Sequence, residues 1–180
     1  MKLNFVDKPE KQTMRRQFFI ELEKQMGRNK KIYSITGDLG FPFFDRIAQR
    51  FPDRHMNVGA AEQAGLDICV GLAMSGKVPF FYSITPFAIL RPFETIRTYL
   101  NHERIPVKII GSGFGWDYSL DGFSTCAPDM DDILKPFTKI ELFKPRTPEE
   151  LPRIIRMVIT NDKPCIVIIP RKDRIQKMNE

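Results

Sequence analysis

A chain of 180 residues with 42% hydrophobic content can bury one core, and its length favours a single domain over 1–180, with about 1–12 and 172–180 as peripheral tails. The net charge of +6 is spread over segment ends (Arg15-Arg16, Lys30-Lys31, the Arg171 to Lys177 tail), which argues against nucleic acid and for solubility or attraction to small phosphorylated ligands. Cys69, Cys126 and Cys165 form no CxxC pair and stand apart from His55 and His102, which speaks against a disulfide framework or a zinc site. Met1 to Gln12 has no leader-like apolar run, and Val78 to Leu90 is too short and proline-interrupted to cross a bilayer, so a soluble cytoplasmic protein is expected.

Thr13 can cap a helix through Phe18, Phe19 and Leu22, with Gly27 placed to stop it. A strand, Lys31 to Thr36, ends in Gly37-Asp38-Leu39-Gly40, and a short helix around Phe44 to Gln49 leads to a second apolar segment, His55 to Val58. Gly59-Ala60-Ala61 opens a helix through Ser75. The β-rich run Val78 to Ile84 follows, then a helix from about Phe87 to His102 and a strand Val107 to Ile110. Beyond a glycine-rich loop come the strand Ile140 to Phe143, the helix Pro148 to Ile159 and the strand Cys165 to Ile169.

Short, nearly all-apolar strands alternating with helices are what a parallel sheet buried on both faces requires. The expected fold is therefore a doubly wound α/β sheet, mainly parallel, with helices on both faces. Ligands of such folds gather beyond the carboxyl ends of the strands. That directs attention to the loops at Gly37 to Phe41, Gly59 to Glu62, Ser83 to Phe87 and Gly111 to Met130.

Gly111-Ser-Gly-Phe-Gly115 follows a strand, as a dinucleotide loop would, but Trp116 to Ser119 continue as loop where a helix should start. No Walker-type lysine and no GxSxG elbow is present, and the two histidines offer no evident base to a serine or cysteine nucleophile. Glu62 alone reads as a first-turn glutamate complementing the helix dipole.

Its context reads differently. Phe51-Pro-Asp-Arg54, the Gly59-Ala-Ala-Glu-Gln63 helix start, Gly71-Leu-Ala73, Ser83-Ile-Thr-Pro-Phe87, Arg91-Pro-Phe-Glu-Thr-Ile-Arg97, Pro106 to Gly111 and Ile166 to Pro170 together resemble the pyrimidine-binding domain of the transketolase superfamily. The nearest branch is that of 1-deoxy-D-xylulose-5-phosphate synthase and its split-subunit relatives. The resemblance runs from about Lys31 to Arg171 and implies the α/β fold already inferred.

It also implies that Glu62 is catalytic, hydrogen-bonded to N1′ of the aminopyrimidine of thiamine diphosphate, where it favours the tautomer whose 4′ nitrogen takes the proton from thiazolium C2. The cofactor-binding set implied is Glu62, Phe87, Arg91 and Phe93, the two rings stacking on a flat heterocycle or, equally, serving as core. Gly59, Ala60 and Ala61 leave room for the cofactor or a partner, or for tight helix packing.

Asp38, Asp121, Thr125 and Cys126 are substrate-loop candidates, with turn capping as the rival role for Asp38. The family loop reads "DG" followed closely by "TH"; here Asp121-Gly-Phe-Ser-Thr-Cys126 carries no histidine, and neither a thiol nor a hydroxyl reproduces imidazole acid–base work. The family's diphosphate motif, GDG followed by asparagine, is absent. The resemblance therefore implies that Mg2+ and the diphosphate are held by a partner, a transketolase-like diphosphate-binding subunit in a homo- or hetero-oligomer. The expected function is a transketolase-like transferase acting on a small carbonyl substrate, a sugar or sugar phosphate. The alternative is a non-catalytic structural or regulatory subunit.

Overall fold

The computed structural model describes residues 13–39 and 42–171, so both tails lie outside the described residues. Six strands form one sheet: β1 (Ile32–Thr36), β2 (His55–Asn57), β3 (Val78–Ile84), β4 (Lys108–Ser112), β5 (Glu141–Phe143) and β6 (Cys165–Ile169). Their order is β2-β1-β3-β4-β6-β5, and every neighbouring pair is parallel. The helices are α1 (Met14–Arg28), α2 (Phe43–Arg50), α3 (Glu62–Met74), α4 (Thr85–Leu90), the single turn α5 (Phe93–Thr95), α6 (Met130–Leu134) and α7 (Leu151–Thr160). Among the described residues no helix is long and apolar enough to cross a membrane.

Strand alternation divides the core cleanly. Ile32, Phe80, Tyr82, Ile110, Cys165, Val167 and Ile169 face α1, α2 and α7, whose Phe18, Phe19, Leu22, Ile47, Ile154 and Val158 cover them. Ile35, Phe81, Ile109, Ile166 and Ile168 face the other way, under α3, α4 and α6. Period-2 side-chain direction explains why both parities are apolar: each face of the sheet is buried.

Local rules moved several boundaries. Thr13 caps α1 through Oγ1, which accepts from Arg16 N at 3.1 Å, but Gly27 lies inside the last turn and the helix ends at Asn29. There Arg54 Nη1 donates to the carbonyls of Met26 (3.0 Å) and Asn29 (3.1 Å), satisfying a helix terminus from afar. The helix expected from Phe87 to His102 is broken. Pro92 has no N–H and clashes with the preceding turn, so α4 stops at Leu90, and α5 passes into a π-helical stretch, Ile96–His102.

Glu62, not Gly59, opens α3; Gly59 takes φ +66° in the turn before it. In the last βαβ unit Pro148–Glu150 form a 3₁₀ turn ahead of α7.

From β1 the chain passes through α2 to β2 on one side, then returns through α3 on the opposite face to β3 on the other side. The strand order therefore reverses between β1 and β3. Ligands of open parallel sheets bind in the crevice at such a point, and here it is bounded by Gly37, the start of α3 and the start of α4.

Candidate functional site

Glu62 sits in this crevice as the first residue of α3, 2% exposed. Its carboxyl reaches back over the end of β1. A Cβ on Gly37 would lie 3.1 Å from Gly59 O, 3.2 Å from Glu62 Cγ and 3.3 Å from Oε1, so any side chain there would press on the carboxyl and the turn before α3. Glu62 Oε2 accepts from Arg91 Nη1 at 2.6 Å. Arg91 and Phe87 are four residues apart and share a face, and the guanidinium carbon stands 3.7 Å from the Phe87 ring centroid. Three of the four expected cofactor residues thus meet at one point, with the guanidinium between ring and carboxylate.

Phe93 is placed differently. It follows the Pro92 break, is 38% exposed, and tilts against Phe137 at 5.3 Å between centroids. Beside Glu62, Gln63 ties α3 to α5: Gln63 Nε2 donates to Thr95 Oγ1 (2.6 Å), which donates to Oδ1 of Asp67, one turn along α3 (2.6 Å). Ala60, Ala61 and Ala64 are exposed, as are Leu90 and Phe93, so the crevice has a small-residue and apolar rim.

Asp38 adopts φ +50°, a left-handed conformation that aspartate tolerates. Asn57 fixes it: Asp38 N donates to Asn57 Oδ1 at 2.9 Å, and Gly59 N donates to the same oxygen at 2.9 Å. One amide at the end of β2 therefore clamps both loops of the crevice. Asn57 was not singled out in the sequence; an asparagine closing a strand between two glycine turns is the only signal it gave. In the sequence Ser83 marks only the start of a loop and a motif, with no role of its own. It is fully buried at the end of β3, and its hydroxyl has no hydrogen-bond partner.

The loop after β4 folds back on itself. Gly115 and Ala127 form an antiparallel bridge, Thr85 Oγ1 donates to Gly113 O at 2.6 Å, and the 3₁₀ turn Phe123–Thr125 packs against α4. Asp121 pairs with Arg171. Thr125 Oγ1 donates to Gly122 O (2.6 Å), while Cys126, buried, directs Sγ to the same carbonyl (3.5 Å). Phe114, Trp116, Leu120 and Phe123 point outward. Among the described residues no group of three or more His, Cys, Asp or Glu could hold a metal ion.

The family "Transketolase, pyrimidine binding domain" matches residues 10–175. The chain belongs to this family. An apulose-4-phosphate transketolase subunit of Actinobacillus succinogenes is 30% identical over 125 residues, covering 69% of this chain and 40% of that protein. The 6-deoxy-6-sulfo-D-fructose transketolase subunit SqwH of a Clostridium species is 24% identical over 83% of this chain and 47% of its own length. This transketolase pyrimidine-binding domain thus spans under half of those curated relatives.

A split-gene transketolase solved as an inactive β4 tetramer superposes with a TM-score of 0.78 at 25% identity, covering 89% of this chain and 52% of that one. The transketolase of Campylobacter jejuni, 16% identical with a TM-score of 0.80, shares the fold.

Proposed function

We propose that this domain is the pyrimidine side of a thiamine-diphosphate-dependent transketolase-like enzyme, completed by a separate diphosphate-binding chain that also holds Mg2+. The observation that carries the reading is the buried Glu62 carboxyl facing the side-chain-free Gly37, with the Phe87 ring four residues from its partner Arg91. A flat aminopyrimidine fits between a carboxyl and an aromatic face, and the unpartnered Ser83 hydroxyl marks the same edge of the sheet as built for an absent polar group.

In this reading Glu62 holds and exchanges a proton at N1′ of the ring, Phe87 offers its face, and Ile35 and Ile84, buried near the ends of β1 and β3, keep water away. When bound, thiamine diphosphate supplies the carbon that attacks a carbonyl and stores the electrons of the cleaved C–C bond. Relatives named as apulose-4-phosphate and 6-deoxy-6-sulfo-D-fructose transketolase subunits support a sugar or sugar-phosphate substrate and a split assembly. The loop without histidine, its Thr125 hydroxyl bound to Gly122 O, favours a second reading, a non-catalytic structural or regulatory subunit. A buried, correctly presented carboxyl opposes that reading.

Two measurements test the first reading. In the complete enzyme Glu62→Ala should cut turnover at least about 100-fold with the domain still folded; full activity would refute it. Calorimetric titration of the chain alone with thiamine diphosphate and magnesium should give no tight binding, and adding the diphosphate-binding chain should restore it. Tight magnesium-dependent binding without a partner would overturn the division of labour.

A further inference from the structure

Ser83 Oγ and Arg15 Nε are the only buried side-chain polar atoms without a hydrogen-bond partner among the described residues. Other hydroxyls near this edge of the sheet are satisfied: Thr36 donates to Tyr82 O (3.2 Å), Thr85 to Gly113 O (2.6 Å), and Ser112 pairs with Tyr118 Oη (2.9 Å). A buried hydroxyl left unpaired is costly, so Ser83 stands out in a strand that otherwise packs Phe80, Phe81 and Tyr82.

Its position is fixed by register. Ser83 shares the sheet face of Phe81, whose ring would lie 2.8 Å from a Cβ on Gly65, so this face lies beneath α3. Thr36, the last residue of β1, pairs with Tyr82, so Gly37 and Ser83 each stand one residue past the same rung of neighbouring strands. Gly37 is the residue over which the Glu62 carboxyl lies. Arg91 is bonded to that carboxyl; of the nearby acids in sequence, Asp38 is held by Asn57 and Asp67 by Gln63 and Thr95.

We propose that Ser83 is a positioning residue of the pyrimidine seat, donating its hydroxyl hydrogen to one oxygen of Glu62 when the ring displaces Arg91 and takes the other. The inference rests on the cofactor reading above and adds a residue to it. The bare domain keeps an unpaired hydroxyl, and the loaded one uses it.

The test is made on the full chain with Ser83→Ala, Ser83→Thr and Glu62→Gln. The melting temperature is measured, and 4-amino-5-hydroxymethyl-2-methylpyrimidine is titrated at millimolar concentration with NMR detection. Ser83→Ala should melt about 2–4 °C higher, because an unsatisfied buried group is removed, and bind the pyrimidine about tenfold more weakly, the worth of one hydrogen bond to a carboxyl. Ser83→Thr, which keeps the hydroxyl, should stay within about twofold of the parent.

A Ser83→Ala protein that melts lower and binds equally well would make the hydroxyl a structural one and overturn the proposal. Higher melting with unchanged binding would overturn it too. If Glu62→Gln loses binding while Ser83→Ala does not, Ser83 alone is refuted; if the unsubstituted chain fails to bind the pyrimidine, this proposal falls, and the cofactor reading is decided apart from it by the turnover of Glu62→Ala in the complete enzyme.

Discussion

Replacing Arg91 by methionine should destabilise the domain more than neutralising the carboxylate it serves. Glu62 is 2% exposed and Oε2 has the Arg91 guanidinium as partner, whereas the Arg91 side chain is 44% exposed and can turn to water. Removing one member of a fully buried pair costs about 3–5 kcal/mol and breaking a surface pair about 0–1. Arg91→Met strands the buried member, so about 2 kcal/mol is expected, including a contribution of about 0.5 kcal/mol from the contact with Phe87.

Glu62→Gln strands only the half-exposed member and should cost about 1 kcal/mol or less. The double variant leaves no charge in the crevice. Its loss should fall short of the sum of the single losses by about 1–2 kcal/mol. Urea unfolding curves with equal slopes provide the readout, and at this chain length the Arg91→Met loss corresponds to a melting temperature lowered by about 4–8 °C. Additivity within about 0.4 kcal/mol, or a larger loss for Glu62→Gln than for Arg91→Met, would show that the pair does not hold the carboxyl in place.

Three further outcomes follow from other parts of the fold. Burial pushes the His55 pKa below its ordinary value of 6.5, partly offset by Ser34 and Asp45. Its stabilising contribution is therefore complete above 6.5 and is lost as pH falls through the lowered folded value. The urea midpoint should decline from about pH 7.5 to about 5.5, less so in His55→Gln, and equal slopes in the two proteins would refute the assignment. Lys108, 1% exposed, donates to Asn161 O (3.1 Å), Asn161 Oδ1 (2.9 Å) and Lys163 O. Lys108→Met should cost about 2 kcal/mol by leaving those acceptors unpaired, and wild-type unfolding would refute that. Gly113 has φ +94°, and a Cβ there would run into the Tyr118 ring; Gly113→Ala should sensitise the loop from Gly113 to Met130 to proteolysis, whereas unchanged protection would mean that Tyr118 yields freely.

Much of this architecture was legible because parallel strands buried on both faces need unbroken apolar runs. Val78–Ile84 and Cys165–Ile169 match their expected bounds to the residue for that reason. The break at Arg91-Pro92 was visible in principle, since proline ends helices, but an apolar pattern continuing past it masked the stop. The cap of α1 depends on Arg54, a residue 25 positions beyond Asn29 in the chain, which no local signal encodes. Glu62, Phe87 and Arg91 could be named from motif resemblance, and their meeting is a consequence of α3 and α4 starting beyond β2 and β3, the two strands that flank β1. Asn57 and Ser83 could be given no role. The role of one is to bridge two loops, and the interest of the other is the lack of a partner; both are facts of cross-strand register.

The distribution of local irregularities bears on whether this domain is a scaffold or a working site. At the amino-terminal edge of the sheet, a buried charge is fully answered: Lys108 has an acceptor for each of its three protons. At the carboxyl edge, Glu62 is buried against a glycine and Ser83 lacks any partner, while the left-handed non-glycine backbones among the described residues are divided, Asp38 at this edge and Arg104 ahead of β4 at the other. The unpaired hydroxyl of Ser83 costs stability on the order of 1–3 kcal/mol, and the Glu62 carboxyl is offset within the chain only by the half-exposed Arg91. Such departures gather where a structure is shaped for a ligand rather than for itself. A subunit kept only for its fold would gain by replacing the Glu62–Arg91 pair with apolar residues and Ser83 with alanine. Finding both polar groups in one crevice, at the point where the strand order reverses, is the physical argument that this edge serves a molecule the chain does not supply.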